Sequence, residues 1–192
     1  MNPFENKFSR IILASQSPRR RFLLSELGVQ FDTISTDTDE SFPDHMPAEE
    51  VAPYLSLKKA KACQEPQHGD LIITCDTTVC LDHKVINKPA DAEDAVMMLM
   101  KLSGRTHLVV SGITLTSSDK QLTFSEKTSV TFHPLSKDEI EFYVHNFNPI
   151  DKAGAYGIQE WIGYIGVKEI VGCYYNVMGL PLSALYQQLK RW

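Results

Sequence analysis

The chain has 192 residues, long enough for one substantial core or for one domain with two lobes. Its charged and apolar fractions are ordinary for a globular protein, which argues against disorder. A net charge of −5 argues against sequence-independent nucleic-acid binding over a broad face, but still allows a local cationic pocket.

Residues 1–10 read as a lead-in, polar and charged, without the apolar segment of a secretory signal. An apolar strand follows at Ile11–Ala14, then Ser15-Gln16-Ser17-Pro18-Arg19-Arg20-Arg21 opens a helix that Gly28 stops. Ser17 is the expected N-cap and Pro18 the first helical residue; Phe22, Leu23 and Leu27 are expected on its apolar face. Guanidiniums in a first turn oppose the helix dipole unless an anion binds there. The same features also describe a solvated basic turn. The stretch is neither a Walker loop nor a dinucleotide fingerprint.

A short strand is predicted over residues 30–35. The loop at 36–47 is acidic and carries Asp37, Asp39 and Glu40, a composition that is either solvated or metal-holding. Residues 47–63 read as a helix, with Pro53 expected to separate or kink its first turn. Lys58, Lys59 and Lys61 must face different directions, so one should turn away from the surface. Residues 71–81 form the expected central strand, interrupted by Asp76. A carboxylate there is costly unless paired, hydrogen-bonded or metal-bound. Cys75 and Cys80 fall on opposite faces of that strand, and the spacing of the four cysteines suggests reduced thiols rather than a zinc site.

A short hairpin then brings Lys88 onto a loop. Residues 91–102 read as a helix capped by Asp91, with Met97, Met98, Leu99 and Leu102 as core material. Residues 106–116 and 122–133 alternate as a hairpin, and Ser136 with Glu139 predicts a capping box. The glycine- and alanine-rich run 149–159 is either a tight structural loop or a wall of a ligand site. A strand at 162–171, a turn at 172–176 and a final amphipathic helix complete the reading. No apolar run approaches a membrane span, so a cytoplasmic protein is expected.

The ordered blocks ASQSPRRR, DE, LSLKKAKA, CDTTV, NKPAD, LSGRTH, DKAGAYGIQ and NVMGLPL resemble the Maf family of nucleoside triphosphate pyrophosphatases, over residues 11–189. The DKAGAYGIQ block is similar to the subgroup acting on dTTP and UTP. The resemblance implies a single mixed-sheet α/β domain over 11–192, with two lobes around a cleft, of the Maf/Ham1 (ITPase-like) architecture. It implies hydrolysis between the α- and β-phosphates with Mg²⁺ or Mn²⁺, and often a homodimer. Carried over by position, Asp76 is the proton acceptor, joined by Glu40, Lys59 and Lys88. Ser15, Arg19 and Arg20 match the phosphate-binding opening, while Arg20, Thr77 and Gln159 match positions tied to the pyrimidine. Glu40 and Asp76 are the expected metal ligands. The implied partner is a nucleoside triphosphate, with neither nucleic acid nor membrane. Glu160 and Trp161 stand where the family favours glycine, which bears on the base pocket. The alternatives are a pyrophosphatase for another base and a nucleotide-binding regulator without turnover.

Overall fold

In the computed structural model, which describes Phe4 and residues 7–192, the opening run becomes strand β1 (Arg10–Ala14). Helix α1 (Pro18–Glu26) follows, its first turn capped by the Ser17 hydroxyl, which accepts from the Arg20 amide at 3.4 Å. Gly28 leaves the helix at φ 69°, a left-handed position where glycine carries no side-chain penalty. Leu23 and Leu24 are buried, whereas Phe22 is 56% exposed and does not belong to the apolar face. Of the expected lead-in, residues 1–3, 5 and 6 lie outside the described residues. Phe4 is buried against Tyr186, and Arg10 already pairs with Asp70 at 2.7 Å.

The remaining strands are β2 (Asp32–Ile34), β3 (Asp70–Leu81), β4 (Lys84–Ile86), β5 (Thr106–Thr116), β6 (Gln121–Phe132) and β7 (Val167–Val171). They form one sheet in the order β2-β1-β3-β5-β6-β7, with β4 added beside β3. β1 runs parallel to β2 and β3, and the other pairs are antiparallel. One edge of β3 is interrupted. β1 pairs with it as far as Thr74, and β4 takes over only at Val79. Among the described residues, no strand therefore covers 75–78 on that side, while β5 covers the other side without a break.

Helix α2 (Ala48–Ala62) packs on β3 and β5, and Pro53 lies within it without separating its first turn. Here the helix crosses β5 at Gly112, where an added Cβ would overlap the backbone of Ala52 and Pro53. Packing against the sheet holds the turn that proline's missing N–H weakens. The Thr74 hydroxyl donates to the Ser56 carbonyl at 2.7 Å, so the even-numbered residues of β3 look toward α2.

Helices α3 (Ala92–Leu102) and α4 (Lys137–Phe147) carry the expected Asp91 cap and Ser136–Glu139 capping box. Ala95, Leu99 and Leu102 are the buried face of α3, which leaves Met97 on the opposite side and 53% exposed; it is not core. The expected strand at 162–171 is two elements, a helix α5 (Trp161–Gly166) running into β7. The segment lacks a period of two in its first half, and Gly163 brings α5 against the Ile158 carbonyl too closely for any side chain. The expected turn at 172–176 is mostly a short helix, α6 (Tyr174–Met178), ended by Gly179 at φ 112°. Helix α7 (Leu182–Arg191) follows.

Two buried clusters make the two lobes. One joins Leu13, Leu23, Ile73, Leu115 and Leu185; the other joins Val79, Leu99, Val109, Phe132, Tyr143 and Ile162. β3 and β5 contribute to both, and the uncovered stretch of β3 lies between them.

Candidate active site

Arg20 fills the break in the sheet edge. Its Nη1 donates to the Cys75 carbonyl at 2.7 Å and to Ser15 Oγ at 3.4 Å, its Nε to the Gly179 carbonyl at 2.9 Å, and its Nη2 to Thr77 Oγ1 at 3.2 Å. These contacts occupy four of the five guanidinium N–H groups and leave one for a ligand. Thr77 also shares a hydrogen bond of 2.9 Å with Ser111. Ser15, expected at the phosphate opening, is buried and additionally accepts from the Ser17 amide at 3.2 Å. Arg20, Thr77 and Ser15 are thus brought together in one network.

Asp76, on the α2 side of β3, is buried. Lys59 Nζ lies 2.5 Å from its Oδ1 and 2.8 Å from Glu40 Oε1. Lys59 is therefore the one lysine of the three that turns inward. Burial pulls its ammonium down, but attraction and hydrogen bonds from Asp76, joined by Glu40, outweigh this and raise it above the ordinary lysine value. Burial pushes the Glu40 carboxyl up, and Lys59 and Lys88 more than reverse that, so it sits below the usual glutamate range. Lys88 reaches Glu40 Oε2 at 3.4 Å. The acidic loop and the inner strand meet through α2.

Arg19 points elsewhere, pairing with Asp151 at 2.8 Å. Asp151 also binds Lys152 at 2.8 Å, and these two cations hold its carboxyl below the ordinary value against the upward push of burial. Gln159 lines the cleft with its side-chain Oε1 buried and without a hydrogen-bond partner among the described residues. Tyr156, beside it, shares a hydrogen bond of 2.7 Å with the buried His107.

These groups line a cleft of about 390 Å³ that draws side chains from both faces of β3, Asp76 and Thr78 from one and Thr77 and Val79 from the other. A second cavity of about 320 Å³ adjoins it and shares Ser17, Arg19, Arg20, Glu40, Lys59 and Lys88. Five cationic side chains line the larger cavity against three carboxylates, an excess of positive charge within an acidic chain. All nine side chains singled out in the sequence border one cavity or the other. Three further groups do not stand out in the sequence. Thr38 borders the smaller cavity with its hydroxyl buried and unpartnered among the described residues; Lys152 and Tyr143 support the loop before Gln159. Thr38 lies in a segment read as an acidic loop, Lys152 in the 149–159 run whose glycines and alanines draw attention away from it, and Tyr143 on a helix at a core position.

Among the described residues, no three His, Cys, Asp or Glu side chains come together as a metal-holding group. Glu40 and Asp76 do face one cation, the Lys59 ammonium. Mg²⁺ commonly takes one or two carboxylates and completes its shell with phosphate oxygens and water, so this donor pair fits such an ion without a dedicated cage.

Residues 10–192 match the family described as Maf-like protein. The dTTP/UTP pyrophosphatases of Phocaeicola vulgatus and Bacteroides thetaiotaomicron are each 50% identical over 184 residues, covering 95% of this chain and 95% of theirs. The dTTP/UTP pyrophosphatase of Parabacteroides distasonis is 46% identical over 185 residues, covering 95% of this chain and 96% of its own. Among solved structures, a HAM1 protein from Coxiella burnetii covers 95% of this chain and 99% of its own at 15% identity, with a TM-score of 0.47.

Proposed function

Because the chain belongs to the Maf-like protein family, we propose that it hydrolyses dTTP and UTP to the nucleoside monophosphate and pyrophosphate. The observation that carries this reading is the buried Asp76, held by Lys59 at the break in the sheet edge and facing a cleft with an excess of cations. The names of the relatives favour the two pyrimidine substrates.

A triphosphate brings about four negative charges, and Arg19, Lys59 and Lys88 are the cations of the cleft with exchangeable partners. In this reading Arg19 leaves Asp151 for a phosphate oxygen, to which its planar fork can bind bidentately. Arg20, already fastened by four hydrogen bonds, offers its remaining N–H and holds the first turn of α1 against β3. The helix end adds the Arg19 amide alone, because Pro18 has no N–H and the Ser17, Arg20 and Arg21 amides are already hydrogen-bonded. Ser15 keeps Arg20 and the Ser17 turn in place.

The reaction adds water across the bond between the α-phosphorus and the bridging oxygen. The water oxygen bonds to phosphorus, the bridging oxygen departs with pyrophosphate, and the water proton passes to a carboxylate. Asp76 is that acceptor: Lys59 fixes Oδ1, while Oδ2 makes no hydrogen bond among the described residues. Lys59 and Lys88 balance the charge that builds on the departing group. Glu40 and Asp76 would hold Mg²⁺ or Mn²⁺, which would neutralise phosphate charge at the same place.

Base selection falls to Gln159 and Thr77. Thymine and uracil carry an imide N–H, the donor that the lone Gln159 Oε1 requires. A base lacking that donor leaves the oxygen unpaired and is rejected. The same reading gives a cytoplasmic homodimer whose partner is a nucleotide rather than a nucleic acid. Four free cysteines support the cytoplasmic part and the net charge of −5 the exclusion of nucleic acid, while the homodimer rests on the family resemblance alone and is tested by light scattering.

Initial rates of pyrophosphate release from dTTP, UTP, CTP, GTP and 7-methyl-GTP, each with Mg²⁺ and Mn²⁺, test the reaction. dTTP and UTP are expected to lead, and Asp76→Asn is expected to lower kcat by about 10²–10⁴-fold. Release from none of the five would refute the enzyme reading.

A further inference from the structure

A line of alternating charge crosses the cleft wall. Arg19 binds Asp151, and Asp151 binds Lys152 at 2.8 Å. Lys152 Nζ lies 3.2 Å from Glu160 Oε1. Glu160 Oε2 accepts from the Tyr143 hydroxyl, whose oxygen accepts from the Gly157 amide at 3.0 Å. Lys152 is 8% exposed, so its ammonium depends on those two carboxylates to offset lost hydration. Burial, with the hydrogen bond to Glu160, pushes the Tyr143 phenol well above its ordinary range, which keeps it a donor at any working pH.

This line ends on the backbone that carries Gln159. The loop before it is conformationally costly: Gly154 lies at φ 71° and Ala155 at φ 59°, a left-handed position that a non-glycine residue adopts only when its surroundings enforce it. Glu160 also lies directly over Gly157, where an added Cβ would come within 2.7 Å of its carboxyl carbon. Glu160 and Tyr143 are not among the residues that line the cleft, so they act through the loop.

We propose that Glu160, with Lys152 and Tyr143, is a positioning residue for base recognition: it locks the 157–159 backbone so that the unpaired Gln159 oxygen meets the pyrimidine. The inference rests on the dTTP/UTP reading for its substrate and on the geometry alone for its effect on the loop.

Two measurements test it on the full chain. In steady state, Glu160→Ala is expected to raise KM for dTTP and UTP by about tenfold, with kcat changed by less than about twofold. Glu160→Gln keeps an acceptor for the Tyr143 hydroxyl and should fall between the two. Gly157→Ala, which displaces the Glu160 carboxylate, should act in the same direction as Glu160→Ala. In hydrogen exchange on the ligand-free protein, the amides of 157–160 should exchange about tenfold faster in Glu160→Ala than in wild type. Unchanged exchange overturns the proposal, as does a kcat loss with KM unaltered. Wild-type protein that hydrolyses no pyrimidine triphosphate refutes the substrate reading instead, and the exchange result then decides the positioning role alone.

Discussion

Lys59 shows how one side chain reconciles two costs. A lone buried carboxylate at Asp76 and a lone buried ammonium at Lys59 would each be expensive, and at 2.5 Å they meet the requirement together. The need for a partner was legible in the sequence, because a carboxylate inside a β-branched run cannot stay unpaired. Which of Lys58, Lys59 and Lys61 supplies it was not, since that depends on the phase of α2 over the sheet. His107 has no such partner: burial lowers its value from 6.5 to about 4. The folded protein therefore refuses a proton that the unfolded chain accepts between those values, and stability falls as pH drops from 6.5 toward 4. The loss reaches about 3 kcal/mol near the lower end. Urea unfolding of wild type between pH 7 and pH 4.5 should show this slope, and His107→Phe should remove it within that window. An equal slope in both proteins would exclude His107 as its source.

Helix α2 takes its place because a strand lets it approach closely. Gly112 offers no side chain at the crossing, and the atoms it would meet belong to the helix backbone, which cannot turn aside. Gly112→Ala should therefore cost about 3 kcal/mol, within the range of overpacked sites, and lower the urea midpoint without changing the slope. Because Asp76 and Gly112 are paired across β3 and β5, the same change should also separate Lys59 from Asp76. Elements with a strong local pattern were readable from the chain: β3, β5, β6, the capped α3 and the capping box of α4. Those set by contact were not. The run 162–171 is apolar enough for a strand, yet its first half coils because Gly163 must pass the Ile158 carbonyl, a neighbour five residues away in sequence but imposed by packing. Pro53 misleads in the other direction, since the sheet holds together a turn that propensity alone would break.

At the scale of the whole molecule, two cores share β3 and β5, and the candidate site spans their junction. A nucleotide that bridges them stabilises only the folded form. A non-hydrolysable dTTP analogue at 100 times its Kd, with Mg²⁺, should add about 2.7 kcal/mol and raise Tm by about 5–10 °C. A thermal scan in which the analogue gives no shift would show that it does not bind the folded form preferentially. The two-lobed outline and the set of side chains that border the candidate cleft were legible through the resemblance carried by the ordered blocks; the interruption in the sheet was not, because it arises from where two separate strands stop. That interruption has a consequence for solubility. Bare main-chain donors and acceptors on a strand ordinarily invite a strand from another molecule. Here the open run is four residues long, bounded at each end by a strand already in place and stoppered by a guanidinium, so a foreign chain finds no length on which to zip. The protein can thus keep unpaired peptide groups beside the buried Asp76 carboxylate without becoming a template for aggregation.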